Sequence, residues 1–444
     1  MSNIRRLPGA ILSCALLTLG ACTPATDAPA AAVAEGTPSP LSPRCAPDNG
    51  GITLPADFCA IVVADDLPGA RHLAVADNGD IFVALRNARA GRDAPVVTGG
   101  VAVLRDTDGD ALPDTVARWG VNGGNDVLVA DGYVYHAPDD AVLRYPLAAG
   151  EMVPSGDPDT LVSGLPAVAN HTAKSIALGA DGALYVNIGS PSNACQERTR
   201  TPGSAGQDPC PQLDTRAGIW RFDATRTGQV QDDGTRFATG LRNTVALRVN
   251  PANNVLYGAV HGRDQLHDLW PDLFTVDDNA EKPAEEFVRL DEGADYGWPY
   301  CYYDPQTNRK VLSPEYGGDG QEVGRCADKS QPIIGFPGHW APNDLEFYTG
   351  TQYPARYRGG AFIAFHGSWN RAPNPQDGYR VVFVPAQGSD FGTDWEIFAD
   401  DFRKGEGEGS ASARPVGLAM GPDGSLYVTD SLRGRIWRIV YKGM

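Results

Sequence analysis

Arg414–Thr429 reads RPVGLAMGPDGSLYVT, and His171–Ile188 reads HTAKSIALGADGALYVNI. Each is a short apolar run, an Asp-Gly pair and a second apolar run built on Leu-Tyr-Val. An Asp-Gly pair between two such runs predicts a tight β-hairpin, because the glycine accepts the positive φ that the turn demands. Weaker copies follow at Arg71–Ala84 (RHLAVADNGDIFVA), Asp126–His136 (DVLVADGYVYH) and Arg242–Ala259 (RNTVALRVNPANNVLYGA), and an interrupted copy at Asn343–Phe365. Further apolar runs come after several copies: Val101–Leu104, Ala141–Tyr145, Gly218–Phe222, Tyr379–Val384 and Arg435–Val440. Three to four strands per unit, repeated six times without amphipathic helical stretches between them, predict an all-β, six-bladed β-propeller. The uneven spacing predicts insertions at Asn193–Asp214, Gly262–Asp304 and Tyr303–His339, where long loops would shape a binding face.

The bulk properties agree with one large turn-rich domain. Of 444 residues, 52 are Gly and 35 Pro, while 42% are hydrophobic, enough for a core. A net charge of −18 would repel a phosphate backbone, so nucleic acid is excluded as an expected partner.

The N-terminus has Arg5 and Arg6, an apolar run from Leu7 to Ala21, and the sequence Leu19-Gly20-Ala21-Cys22. That is an export signal, and its end resembles a bacterial lipoprotein box with Cys22 as the lipidated residue; an ordinary signal peptide is the alternative. The expected organisation is residues 1–21 as a lipoprotein signal peptide, 22–44 as an Ala/Pro/Thr-rich tether and 45–444 as the propeller. A lipid anchor would hold the protein to a membrane, on the periplasmic face of the outer membrane; without it the protein would be periplasmic. Export favours disulfides, and the remaining cysteines fall in three sequence-local couples: Cys45 with Cys59, Cys195 with Cys210, and Cys301 with Cys326. No C-x-x-C-H is present, so a fused c-type haem is not expected.

A propeller does not specify an activity. Three blades, however, begin with polar or charged groups where the axial mouth should lie: His171, Arg242 with Asn243, and Arg414. Cations that converge on one mouth call for an anion among them. Several rarer stretches accompany these: His171-Thr172-Ala173-Lys174, Gly240-Leu241-Arg242-Asn243, His261-Gly262-Arg263-Asp264-Gln265-Leu266, Tyr296-Gly297-Trp298-Pro299-Tyr300-Cys301, His339-Trp340-Ala341-Pro342-Asn343-Asp344, Phe365-His366-Gly367-Ser368-Trp369-Asn370-Arg371 and Arg414-Pro415-Val416-Gly417. Over roughly residues 50–442 the chain resembles the soluble sugar dehydrogenases that use pyrroloquinoline quinone (PQQ), in particular the sorbosone dehydrogenase branch.

The resemblance implies His171 as the general base, Arg242 and Arg414 on the PQQ carboxylates, Asn243 at the quinone and Lys174 as a basic residue beside the cofactor. It also implies Ca2+ on the backbone carbonyls of Gly262 and Arg263. His366, Trp369 and Arg371 are expected around the substrate or cofactor mouth. The implied reaction is oxidation of a sugar or sugar-aldehyde, with electrons passed to a separate acceptor, a cytochrome or a quinone. Two other functions remain open on the residues alone: a calcium-dependent propeller lactonase or esterase, and a non-catalytic surface binding propeller. A separate acidic loop, Asp106 through Asp114, alternates oxygen ligands as calcium loops do, or forms a solvated turn.

Overall fold

The computed structural model describes residues 45–89, 96–120, 122–405 and 410–443. The signal peptide, Cys22 and the tether lie outside the described residues. Within 45–443 the paired apolar runs form antiparallel strands that associate into six units, and these are the blades; four have four strands, and the second and third each gain a fifth, two-residue strand in parallel, Gln229–Val230 and Ala294–Asp295. In the first blade Ala70–Val75 pairs with Ile81–Leu85, then Gly100–Arg105, then Thr115–Trp119. The second to fifth blades open with Gly124–Ala130, Ile176–Leu178, Ala246–Asn250 and Pro342–Phe347. The sixth opens with Pro415–Met420, and its outermost strand comes from the start of the described chain. There Phe58 pairs with Tyr441 and Cys59 with Val440, so the ring closes by joining the two ends of the propeller sequence. The Cys45–Cys59 disulfide fastens that closing strand.

The hairpins take the form read from the sequence. Gly182 and Gly424 have φ of +80° and +83°, a region that costs a glycine nothing and a side chain about 1 kcal/mol or more. The faces between blades are packed with aromatic and branched side chains. Between the fifth and sixth blades Phe58, Tyr357, Phe362, Phe398 and Trp437 share one cluster, with Phe58 edge-on to Tyr353 at 4.8 Å. Each such buried side chain stabilises the fold by roughly 1.5–3 kcal/mol, which is what keeps flat, separately twisted sheets together.

The first strand of each blade faces the axis, where inner strands meet and several of their polar groups have no partner within their own blade. Buried side chains supply bonds across the ring. Asp126 of the second blade accepts from the Ile176 amide of the third at 2.8 Å, and Asp344 of the fifth accepts from the Leu418 amide of the sixth at 2.8 Å. Arg248 of the fourth donates to the Leu345 carbonyl at 3.0 Å and pairs with Asp344 at 3.2 Å. His72 of the first reaches the Asn343 carbonyl at 2.7 Å and Asp126 at 3.1 Å.

The insertions depart from the sequence reading at two strands. Gly262–Asp304 and Tyr303–His339 are expected to be insertion throughout, yet Glu285–Leu290 and Ile334–Phe336 within them are the third and fourth strands of the fourth blade. Their apolar alternation is short, and the first follows the helices Leu266–Leu269 and Val276–Glu281. The Cys195–Cys210 and Cys301–Cys326 disulfides cross-link the loops of the third and fourth blades, as the sequence-local couples imply.

Candidate functional site

His171 stands five residues before the inner strand of the third blade, on a left-handed backbone with φ of 55°. It therefore sits in the connection that leads to the axis, where the sequence had placed it on the strand itself. Two buried cations fix this connection from behind. Lys174 donates to the carbonyls of Pro166 (2.8 Å) and Thr172 (2.6 Å), and Arg216 donates to those of Gly189 (2.6 Å) and Asn170 (3.1 Å). Burial, with Arg216 nearby, lowers the Lys174 pKa to about 8. Lys174 is thus turned onto its own loop, away from the cofactor position the resemblance implied. Gly189 packs against His171: an added Cβ there would lie 2.6 Å from the His171 Cβ and 2.7 Å from Asn243 Oδ1.

His171 Nδ1 lies 2.7 Å from the Ser190 carbonyl. A carbonyl only accepts, so Nδ1 carries the proton and Nε2 presents its lone pair. Nε2 has no partner among the described residues. Burial, reinforced by Arg242, holds the His171 pKa well below 6.5, so the ring is neutral in ordinary buffer.

Arg242 is buried and mostly committed. It donates from Nε to the Asn193 carbonyl (3.2 Å), from Nη1 to the Gly262 carbonyl (2.7 Å), and from Nη2 to Asn193 Oδ1 (3.1 Å) and Asp264 Oδ2 (2.8 Å). A guanidinium has five N–H groups, so a single one, on Nη1, is left for a ligand. Asp264 also accepts from Arg200 at 2.6 Å and from Asn370 Nδ2 at 2.7 Å. Burial alone would raise its pKa, but Arg242, His339 and Arg200 hold it well below the carboxylate range. Asn243 is held by Asn187 (3.1 Å) and faces His261 Nδ1 at 3.4 Å.

Arg414 is less committed. Its guanidinium approaches the Gly367 carbonyl at 3.4 Å and His366 Nδ1 at 3.5 Å and has no carboxylate partner among the described residues. Arg71, which the sequence reading passed over, is half-buried at the same mouth with one side-chain hydrogen bond, from Nε to Asn125 Oδ1 at 2.9 Å. Burial and the charges of Arg71 and Arg414 keep His366 neutral, its pKa well below 6.5. The mouth therefore gathers neutral imidazoles around Arg414, which has no counter-ion among the described residues, and the one unengaged N–H of Arg242. Such a basin suits a small polyanion whose carboxylates pair with planar guanidinium groups; PQQ, a planar tricarboxylate, fits that chemistry.

The remaining expected residues lie elsewhere. Arg371 donates to the carbonyls of Ala280 (2.6 Å), Gly338 (3.1 Å) and Pro375 (3.1 Å) and pairs with Glu281 at 2.5 Å, so it ties the Phe365–Arg371 segment to the neighbouring insertion. Trp369 is exposed. From that segment His366 reaches the mouth beside Arg414, and Asn370 reaches Asp264. Arg263 is buried against Glu315 at 2.5 Å. The Gly262 carbonyl already faces the Arg242 guanidinium, so a cation on the Gly262 and Arg263 carbonyls would meet a positive neighbour. This pair as it stands does not fit Ca2+. Asp106, Asp108 and Asp114 do converge, with ligand atoms within 4.8 Å of one another, but on an exposed loop.

Relatives bear on this geometry. A family model described as TrAA12-like matches residues 52–442. The chain belongs to that family. Among curated proteins, the PQQ-dependent pyranose dehydrogenase of Coprinopsis cinerea is 30% identical over 268 residues, 50% of this chain and 34% of the relative. The PQQ-dependent sugar dehydrogenase of Hypocrea jecorina is 22% identical over 354 residues, 73% of this chain and 76% of the relative. An uncharacterized protein of Borreliella burgdorferi is 29% identical over 206 residues, 46% of this chain. The chain thus spans 48% and 34% of the lengths of the Borreliella and Coprinopsis relatives. Two solved structures share the fold. The calcium structure of Trichoderma reesei family AA12 has a TM-score of 0.71 at 18% identity, covering 91% of this chain and 99% of the other. The holo PQQ domain of the Coprinopsis cinerea pyranose dehydrogenase has a TM-score of 0.69 at 20% identity, covering 91% and 99%. For this TrAA12-like chain the sequence missed Asn193, Arg200, Arg216 and Arg71 as site-forming residues. Each acts through a contact across the ring or between insertions, for which local sequence carries no signal.

Proposed function

We propose that the protein is a PQQ-dependent dehydrogenase that oxidises a sugar or sugar-aldehyde of the aldose or sorbosone type. The observation that carries the reading is the neutral His171, its Nε2 lone pair unengaged, at the same mouth as Arg414, which has no carboxylate partner among the described residues. Bound PQQ would supply a two-electron acceptor for hydride from the substrate carbon. Arg414 would hold a cofactor carboxylate, and the one unengaged N–H of Arg242 would contribute a further hydrogen bond. Asn243, between Asn187 and His261, would fix the quinone edge. His171 Nε2 would take the proton of the substrate hydroxyl while Nδ1–H stays on the Ser190 carbonyl, so the resulting imidazolium forms without rearrangement of its anchor. The connection pinned by Lys174 and Arg216 keeps the ring in that orientation.

A hydrolase of the metal-dependent kind would need acidic side chains open at the axis. The axial Asp126 and Asp344 are instead occupied by His72, Arg248 and backbone amides, which favours the dehydrogenase. As part of the same proposal, a lipid on Cys22 would hold the propeller at the periplasmic face of the outer membrane, from which reduced cofactor passes electrons to a cytochrome or quinone. The test is titration of purified protein with PQQ, with and without Ca2+, followed by addition of aldoses and sorbosone. Stoichiometric binding and bleaching by a sugar are expected. An intact fold that leaves micromolar PQQ unbound under both conditions refutes the assignment.

A further inference from the structure

Beside the proposed cofactor position a cleft opens to solvent between the first and sixth blades. It is lined by Gly69, Arg71, Arg86 and Asn87 on one side and by Ser431 and Arg433 on the other. Arg71 lies deepest and is half-buried, Arg86 is at its rim and Arg433 is exposed. The Ser431 amide donates to the Arg414 carbonyl at 3.1 Å, and Ser431 Oγ lies 2.8 Å from His366 Nε2, so the cleft adjoins the group assigned to the cofactor. Its other rim leads to the base. Arg86 lies 3.9 Å from Asp139, and Asp139 accepts from Thr172, the neighbour of His171, at 3.0 Å.

The charge at this place is unusual for a chain of net −18. Of the cleft's acids, Asp65 is taken by Arg435 and Asp66 is exposed. Arg71 and Arg433 have no carboxylate within ion-pair distance among the described residues, and Arg86 has the long contact to Asp139 alone. Burial and the neighbouring Arg86 lower the Arg71 pKa to about 9, the direction of a guanidinium that lacks a counter-ion. A protein that repels anions at long range needs a local reversal of potential to admit one. A resident cofactor is held by enclosed groups, whereas cations graded from floor to rim suit a ligand that exchanges with solvent.

We infer that the cleft takes the carboxylate of an acidic sugar, with Arg71 as the residue that binds it, so that the preferred substrates are uronic acids. This rests on the dehydrogenase reading for its chemistry. In the cyclic form of a uronate the anomeric C–H would leave as hydride to bound PQQ and the O–H proton would pass to His171. The product would be the lactone of the dicarboxylic acid, with the bound carboxylate unchanged. Arg71 is the specificity residue in this scheme and does not act on the reacting carbon.

Two measurements separate this inference from the reading beneath it. Calorimetric binding of D-glucuronate and D-glucose to the cofactor-free full chain tests the subsite alone. Binding of glucuronate at least tenfold tighter than glucose is expected, abolished in Arg71→Gln and partly kept in Arg71→Lys. Such binding would stand even if PQQ failed to bind and the dehydrogenase reading fell. In the PQQ-loaded enzyme, kcat/KM should favour glucuronate over glucose at least tenfold, and R71Q should erase that ratio without changing PQQ affinity. Equal binding of the two sugars by the wild type overturns the inference. So does an R71Q protein that loses PQQ affinity while keeping its sugar preference, because Arg71 would then hold the cofactor. Arg86→Gln, which keeps Arg71, should reduce the preference by a smaller factor.

Discussion

Asp264→Asn should be the most costly single-atom-scale change at this site. The carboxylate is 13% exposed and its Oδ2 is shared between Arg242, 5% exposed, and Arg200, 32% exposed. Oδ1 accepts from Asn370 at 2.7 Å. Neutralising it leaves the buried Arg242 uncompensated, and the loss of one partner from a buried pair costs about 3–5 kcal/mol. An unfolding entropy of roughly 2.1 cal/mol/K per residue over about 400 residues converts that to a fall in Tm of about 4–6 °C. Arg200→Gln removes the more exposed arm and leaves Asp264 paired with Arg242, so it should cost at most about 1 kcal/mol. Urea titrations and thermal melts of the two variants beside the wild type make the comparison. D264N within 1 kcal/mol of wild type, or R200Q as damaging as D264N, would refute the account of Asp264 as the counter-ion of a buried guanidinium.

Three further outcomes follow from the geometry. His171→Gln should lower turnover with any substrate by about 10²–10⁴ with PQQ affinity unchanged by absorbance titration; retained turnover removes the base assignment. Gly189→Ala should cost about 1–3 kcal/mol by overpacking, since the new methyl meets His171 and Asn243, and a melt equal to wild type would mean that this contact is slack. Buried neutral histidines should cost stability below pH 6.5: burial lowers the pKa of His261 to about 4, and His171 and His366 shift in the same direction. The unfolded chain then binds more protons at these groups between the two pKa values, so their contribution to stability is lost as pH falls from 6.5 toward 4, by about 3 kcal/mol for His261 alone at pH 4. His72, whose pKa is raised by Asp344 and Asp126 against its burial, and Glu285 and Glu346, which burial raises to about 8 and about 7, act in the opposite sense. His261→Gln should therefore lose less stability than the wild type between pH 7 and 4, and denaturant melts in which the two fall in parallel would contradict the buried, neutral state of His261.

The cofactor-binding expectation was legible because it rests on residue types adjacent to recognisable hairpins. Arg414 precedes Pro415 directly, and Arg242 precedes its strand by four residues, so locating the hairpins also located the charged groups. The direction in which each side chain points was not legible. Lys174 and Arg371 are as basic as Arg414, yet they turn to backbone carbonyls whose positions depend on loops remote in sequence, such as Gly338 for Arg371. Arg71 went unnoticed for the converse reason. Its strand looked like an ordinary hairpin arm, and the lack of a counter-ion becomes visible only when the first and sixth blades are side by side.

By itself the sequence determined the repeat. Alternating apolar runs and Asp-Gly turns are local instructions, and six copies of a unit with a face to bury leave a closed ring as the arrangement that covers them. Ring closure by Phe58–Ala64, the third strand inside the fourth blade's insertion, and the choice of which arginine is neutralised were decided by tertiary structure alone. Strand pairing between chain ends, and the charge balance around a guanidinium, depend on which groups arrive within a few ångströms of one another, and that is a property of the assembled ring.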